Sequence, residues 1–253
     1  MKYKLFFLSV SMLFLISESK SQTSETKCLH YPYNTQVGLN LNANLLNKMR
    51  VEPQSDYFRS HPSFGAGLGV YMYQRVYKWF GIQIGAECSA ISTCYSEIGA
   101  FSDYNMNGKR MAVTGAFTFP ILFNASYYFN EKHGLDISLG TAPLLRFPGN
   151  LGMGMGYGDY AGYSFSLDND VSLNIINLYT KIGYNFLFKN KNTFGVAIIG
   201  SYTSQPYTKG YYSVLANDRM MESGRVSLRN TFIGIQFSYG FSMKKLLCVP
   251  RSE

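Results

Sequence analysis

The sequence runs to 253 residues, with 46% hydrophobic, 16% aromatic and only 15% charged side chains, 24 glycines and a formal charge of +8. A chain this rich in Tyr, Phe and Gly and this poor in charge excludes a helical enzyme with a solvated, ion-paired surface. Its length allows one large β domain or two ordinary ones.

The chain opens on Lys2 and Lys4, then the apolar run Leu5 to Ile16, then the small residues of Ser19-Lys20-Ser21. That order predicts a secretory signal peptide over residues 1–21, cleaved before Gln22. The apolar run is too short for a membrane anchor, and "SETKC" before Cys28 lacks the apolar approach of a lipoprotein signal. The mature chain is expected to be exported, and loss of Lys2, Lys4, Lys20 and Glu18 lowers its formal charge from +8 to +6. Residues 22–35 then form a short N-terminal periplasmic segment.

Beyond that segment the apolar period is two rather than 3.6. Val37, Leu39, Leu41, Ala43 and Leu45 alternate with Gly38, Asn40, Asn42 and Asn44. Phe64 to Met72 alternates against glycines, and Phe80, Ile82, Ile84, Ala86 and Cys88 oppose Gly81, Gln83, Gly85 and Glu87. The fourth segment lies in an uncharged run from Met111 to Asn130, long enough for a membrane helix. Pro120, Asn124 and aromatics at every second place in "FTFPILFNASYYF" reject that helix. Phe117, Phe119, Ile121 and Phe123 should face lipid, and Pro120 should turn inward and either forfeit a ladder bond or mark a bulge. Four more alternating segments follow at Leu135–Leu145, Ile176–Phe188, Phe194–Tyr202 and Ile233–Phe241. Two of them start out of phase, at Leu173 and Ile175 and at Val226 and Leu228, which predicts bulges or loop residues there.

Short turns join segments two and three, four and five, and six and seven, whereas 46–62, 96–109, 148–170 and 206–225 are long connections. Short turns at one end and long loops at the other describe an all-β, eight-stranded antiparallel transmembrane up-and-down barrel of the outer membrane. It spans residues 36–241, with a periplasmic tail over 242–253, and its strands are long enough to cross the bilayer when tilted. In this layout the +6 of the mature chain falls in the turns and tail. That is a rim facing phospholipid headgroups, so the expected surroundings are outer-membrane lipids and no nucleic acid. A soluble lipocalin-like barrel is the rival. Small residues and charges on the polar face, with aromatics near the strand ends, favour the membrane.

Two stretches, "FTFPILFNASYYF" and "GLDISLGTAPLLRF", resemble the outer-membrane β-barrel domain family that includes PorT. The likeness is carried by Phe117, Phe119, Pro120 and Ile121, an apolar strand built as x-φ-P-φ-φ-φ, and then by the glycine-bearing strand with Gly140. It extends loosely over Gln36 to Phe241 and is specific over Phe117–Phe147. The resemblance implies a part in protein secretion through the type IX system, with other envelope or secretion proteins as partners.

Period two turns Arg75, Glu87, Asp136, Arg146 and Lys181 to the interior, where charges need partners. Glu87 and Lys181 each lie seven residues from the hairpin end of their strands, which predicts a Glu87–Lys181 ion pair, with Arg75–Asp136 as a second layer. Eight-stranded barrels are filled by side chains, so these charges read as a plug, and a narrow porin is disfavoured. An enzyme needs a nucleophile with a base in reach. His61, near Asp56, Ser60 and Ser63, is the histidine at the outer rim; His30 precedes the barrel and His133 lies in a turn. No fuller constellation accompanies it, so the expectation is a barrel without catalytic activity, with a small lipid-modifying enzyme as the alternative.

No spacing of Cys, His or acidic residues marks a metal or cofactor. "LGMGMGYGDYAGY" is not a phosphate loop, since its glycines alternate and no helix pattern follows. It reads as a flexible or strand-like extension whose Met153, Met155, Tyr157 and Tyr160 offer a protein-contact surface. Cys88 should face lipid, too far along the strand from Cys94 to bridge. Cys28 and Cys248 lie outside the barrel at opposite ends of the chain; ring closure brings those ends together, and the periplasm permits a disulfide between them.

Overall fold

The computed structural model describes residues 35–77, 79–97, 110–146, 151–157, 161–168, 175–216 and 219–243. The signal peptide, Cys28, Cys248 and Tyr160 lie outside the described residues. In chain order the strands are β1 (Thr35–Leu46), β2 (Arg50–Glu52), β3 (Phe58–His61), β4 (Ser63–Tyr77), β5 (Phe80–Glu97), β6 (Arg110–Thr118), β7 (Ile121–Tyr128) and β8 (His133–Arg146). They continue as β9 (Leu151–Tyr157), β10 (Ala161–Asp168), β11 (Ile175–Leu187), β12 (Thr193–Tyr202), β13 (Thr208–Ala216), β14 (Arg219–Leu228) and β15 (Phe232–Ser242).

Ten of these strands form one sheet that closes on itself. Its ring runs β1–β4–β5, then β6 and β7 as one interrupted strand, then β8–β11–β12–β15 and back to β1, all antiparallel. With β6 and β7 counted once and β3 set aside as a short addition to β5, the ring has eight strands. Closure is made by β1 and β15, which pair residue by residue from Gln36–Ser242 to Leu46–Phe232.

The alternation resolves in the direction that lipid requires. Leu68, Ile137, Ile182, Ile198 and Ile235 stand outside, each roughly half exposed or more, while Asn40, Asn42, Gln83, Ser138 and Gln236 are buried inside. A continuous apolar exterior of this kind belongs in a bilayer. At the hairpin end a belt of touching rings runs through Tyr127, Phe129, His133, Tyr184, Phe186, Phe188, Tyr239 and Phe241. Tyr77 and Trp79 extend it on the neighbouring hairpin. Amphipathic rings settle at the headgroup level, so this belt marks one membrane face. Cys88 is exposed on the apolar outside and Cys94 is half-buried; neither is bridged.

The proline in the fourth segment interrupts the ladder without shifting it. Thr118 pairs with Glu87 and Leu144, and Ile121 pairs with Ile84 and Thr141, so three residues are crossed on every strand and no bulge exists. Pro120 is buried and Phe119 half-buried, with Phe117 and Phe123 exposed on the outer face. The Gly85 amide donates to the Pro120 carbonyl at 2.9 Å, and the Phe119 amide to the Pro143 carbonyl at 3.0 Å. What is missing is the return bond that the Pro120 nitrogen has no hydrogen to make.

The long connections are less irregular than their composition implies. Strands β2, β14, β13, β10 and β9 form a second, five-stranded antiparallel sheet from three different connections. The span 206–225 is mostly the β13–β14 hairpin, and the alternating glycines of 151–157 are β9 paired to β10. Of the out-of-phase residues, Leu173 lies outside the described residues and the other three are placed. Val226 and Leu228 belong to β14, while Ile175 keeps the barrel's alternation and points into an interior that is apolar at this end. There Leu46, Ile91, Tyr95, Leu144 and Ile175 of the barrel pack with Tyr212, Val214, Val226 and Leu228 of the second sheet and with Tyr207 just before it. One shared core thus seats the outer sheet on the barrel mouth.

Gly140 is the tightest point of the wall. A Cβ there would lie 2.0 Å from the Ile121 carbonyl oxygen and 2.8 Å from the Leu122 Cα, both backbone atoms beside the proline break. Gly140→Ala is expected to lower stability by about 1–3 kcal/mol through overpacking. Gly200→Ala, where a Cβ would meet only the Thr180 hydroxyl at 2.9 Å, should change it by less than about 0.5 kcal/mol. Urea titration of the refolded barrel, read by the fluorescence of the single tryptophan, Trp79, checks both.

Candidate functional site

Two regions carry chemistry: the barrel interior and the rim with its outer sheet. Polar side chains fill the interior at the hairpin end in successive levels. Lowest are Thr35, whose hydroxyl donates to Gln74 Oε1 at 2.7 Å, and Gln36, which donates to the Thr193 hydroxyl. Arg75 belongs to this level, with its guanidinium 5.8 Å from the centre of the Tyr128 ring. Asp136 belongs here as well and accepts from Asn185 Nδ2. Arg75 and Asp136 are both buried.

The next level is a chain of three side chains. Lys181 Nζ donates to Gln83 Oε1 at 3.1 Å, and Asn124 Nδ2 donates to the same oxygen at 3.2 Å. Above it Gln236 Nε2 donates to Asn42 Oδ1 at 2.9 Å, and the Ser89 hydroxyl donates to Glu87 Oε1 at 2.9 Å. Lys181 and Glu87 are both buried, yet each ends on a neutral partner, so the expected Glu87–Lys181 ion pair is not formed. The reason is stagger. The ladder through Lys181 passes Ser138 and Asn124 and meets β5 at Gly81, six residues short of Glu87. Counting from strand ends treats a sheared ring as a flat one. Arg146 closes β8 opposite Ala116, and its side chain lies outside the described residues.

The rim holds a contact that residue spacing hid. Strand β3 adds to the end of β5, and His61 Nε2 lies 2.7 Å from the Ser96 hydroxyl. Ser96 is 35 residues away in sequence, and only the extension of β5 to Glu97 brings it beside β3. Of the neighbours expected for His61, the Ser63 hydroxyl donates to the Ser92 carbonyl, the Asp56 backbone amide donates to Glu222 at 3.1 Å, and the Ser60 hydroxyl is buried without a hydrogen-bond partner. No carboxylate contacts His61 among the described residues. Across the second sheet, Tyr212 donates to Glu222 Oε1 at 2.5 Å with the Pro53 carbonyl at 3.2 Å. Burial, then this bond to a carboxylate, pushes the Tyr212 phenol well above its ordinary range. The Arg50–Glu52 ion pair beside it is exposed at both ends and adds little.

Among the described residues, the second sheet has two borders that lack a full partner strand, β14 beyond its short pairing with β2, and β9. Strand β14 pairs along its length with β13, but on its other side β2 covers only Arg225–Ser227. Met220 and Met221 are exposed on the uncovered part, as is Tyr211 on β13. Met153, Met155 and Tyr157 lie on β9, at the opposite border of the same sheet. Among the described residues, no cluster of three His, Cys, Asp or Glu side chains could hold a metal.

No protein-family model and no curated protein matches the sequence. Solved structures do match. OprG, an outer membrane protein of Pseudomonas aeruginosa, superposes with a TM-score of 0.53 at 10% identity, covering 83% of this chain and 97% of its own. AlkL, an outer membrane protein solved in DMPC bilayers, gives a TM-score of 0.40 at 12% identity, over 90% of this chain and 99% of its own. At such identities the likeness is one of fold, and the OprG match agrees with the closed ring and apolar exterior. The chain is an eight-stranded outer-membrane β-barrel, and its place is the outer membrane.

The interior chain supplies a test of this packing. Gln83→Leu removes the acceptor of a buried ammonium and should cost about 2–3 kcal/mol. Adding Lys181→Met should recover most of that loss, because the charge that needed an acceptor is gone. Urea unfolding of both variants and of Lys181→Met alone measures the coupling.

Proposed function

We propose that this protein is a non-catalytic outer-membrane barrel that engages other envelope proteins, in association with protein secretion, through the five-stranded sheet outside the membrane. The observation that carries this reading is the sheet itself. Connections that only link strands have no reason to pair with one another, yet three of these do so and share a core with the barrel mouth. Among the described residues the edge of β14 before Arg225 has no partner strand, and with Met220 and Met221 beside it this edge offers backbone groups and adaptable apolar side chains to an extended segment of a partner. The interior speaks against a channel, since stacked, hydrogen-bonded side chains occupy it from Gln36 to Glu87. The secretion role rests on the resemblance of residues 117–147 to the PorT-containing family.

A second reading is favoured by one contact. With Nε2 as acceptor, His61 is placed to take the Ser96 hydroxyl proton, the first requirement of a serine nucleophile at the lipid rim. It lacks an orienting carboxylate among the described residues, which is why it stands second.

One set of strains separates the readings. A photocrosslinking residue at Met220 in living cells should yield an adduct with an envelope protein. Replacing Met220 and Met221 together by Lys should reduce secreted protein while the barrel stays folded and heat-modifiable. Planar bilayers carrying the purified protein should show no conductance steps. Ser96→Ala should leave the cell's lipids unchanged by mass spectrometry. An altered acylation pattern in that variant, together with an unchanged secretome in the Lys variant, would establish the enzyme instead.

A further inference from the structure

Strand β3 places three side chains of the outer rim on one surface. Arg59 and Ser96 stand directly opposite each other across the β3–β5 ladder, and His61, two residues on from Arg59, reaches the same Ser96 hydroxyl at 2.7 Å. Cross-strand partners and their diagonal neighbours project from one face of a sheet. The opposite face belongs to Tyr95, buried in the core at the mouth, and to the buried Ser60 hydroxyl. Arg59, His61 and Ser96 therefore face outward, Arg59 exposed and the other two half-buried. No carboxylate lies within ion-pair distance of Arg59 among the described residues, and the side chain of Glu97 lies outside them.

The length of β5 sets the height of this surface. Its first residue, Phe80, touches Trp79 in the aromatic belt, and Ser96 lies next to its last. A strand of 18 residues, rising about 3.3 Å per residue and tilted by about 40°, climbs about 45 Å. That is about the thickness of a bilayer with both headgroup layers. With the belt at one headgroup layer, Arg59, His61 and Ser96 stand at the other, on the side of the long connections. Met111 shares the row of His61, across Cys94, and Phe64 and Val113 flank Ser92 one row lower. All three apolar side chains are exposed on the lipid face.

A guanidinium offers a fork of N–H donors that matches phosphate oxygens. With His61 Nε2 donating to Ser96 Oγ, the serine hydrogen is free to turn outward as a further donor. This is the reverse of the tautomer that a serine nucleophile needs, and nucleophilic attack makes no use of Arg59. Donors at headgroup height above an apolar wall fit a lipid that carries phosphate over acyl chains. In the outer leaflet of an outer membrane that lipid is a phosphorylated glycolipid. We propose that Arg59, His61 and Ser96 hold one phosphate of such a glycolipid, with its acyl chains lying on Phe64, Met111 and Val113. The site does not depend on how the second sheet is used.

The test titrates the full barrel, refolded in neutral detergent, and counts bound lipid by native mass spectrometry. The probes are diphosphoryl lipid A, the same lipid stripped of its phosphates, phosphatidylethanolamine, and inorganic phosphate as a competitor. One diphosphoryl lipid A should be retained at concentrations about tenfold below those the other two lipids require. Arg59→Gln together with His61→Gln should abolish that preference while the barrel stays heat-modifiable. If the double variant does not fold, Arg59→Gln alone, at an exposed position, should weaken binding by about tenfold. Lys191→Gln, in a turn at the opposite membrane face, should bind as the wild type does. Equal retention of the stripped lipid or of phosphatidylethanolamine, or wild-type affinity in the folded arginine variant, would overturn the site. Displacement of the lipid by millimolar inorganic phosphate would overturn it too, since the ligand would then be the free anion.

Discussion

Everything in this protein follows from the requirement that a chain in hydrocarbon satisfy its own backbone hydrogen bonds. A sheet meets that requirement only by closing, and the pairing of β1 with β15 is where it closes. Once the ring exists, the period of two sorts each strand into a lipid face and an interior face. The same requirement explains why Pro120 is tolerated. Its carbonyl is still held by the Gly85 amide, and the Phe119 amide is still held by Pro143, so the wall loses a bond without losing its register.

Eight strands leave a narrow interior that side chains must fill, and two solutions are used along one axis. Toward the hairpins the filling is polar, and Lys181 rests on Gln83 as Asp136 does on Asn185. Toward the loops it is apolar, and that core continues into the second sheet through Tyr212, Val214 and Val226. The change of character falls near Glu87 and Tyr179.

How much of this was legible in the sequence depends on what enforced each feature. The outward apolar residues were legible because lipid tolerates little else at Leu68, Ile137 or Ile198. The second sheet was not, because it does not face lipid and the core it packs on is built from barrel strands far away in sequence. The alternation of 206–225 therefore resembled a polar loop, although β9 was foreshadowed as a strand-like extension. Ile175 looked out of phase only because an interior residue was expected to be polar. The Glu87–Lys181 pairing failed because depth in a sheared barrel is set by register, which chain position does not encode. The Ser96–His61 contact depends likewise on strands far apart in sequence.

The central claim is a closed transmembrane ring whose fourth strand continues through Phe119–Pro120 with its register intact. Spin labels placed one at a time from Phe117 to Tyr127, in barrels reconstituted in lipid vesicles, measure it most directly. Accessibility to oxygen dissolved in the bilayer should alternate with a period of two across the whole stretch, high at Phe117, Phe123 and Tyr127 and low at Thr118, Asn124 and Ser126. A period near 3.6, or a reversal of phase beyond Pro120, would contradict the closed ring described above.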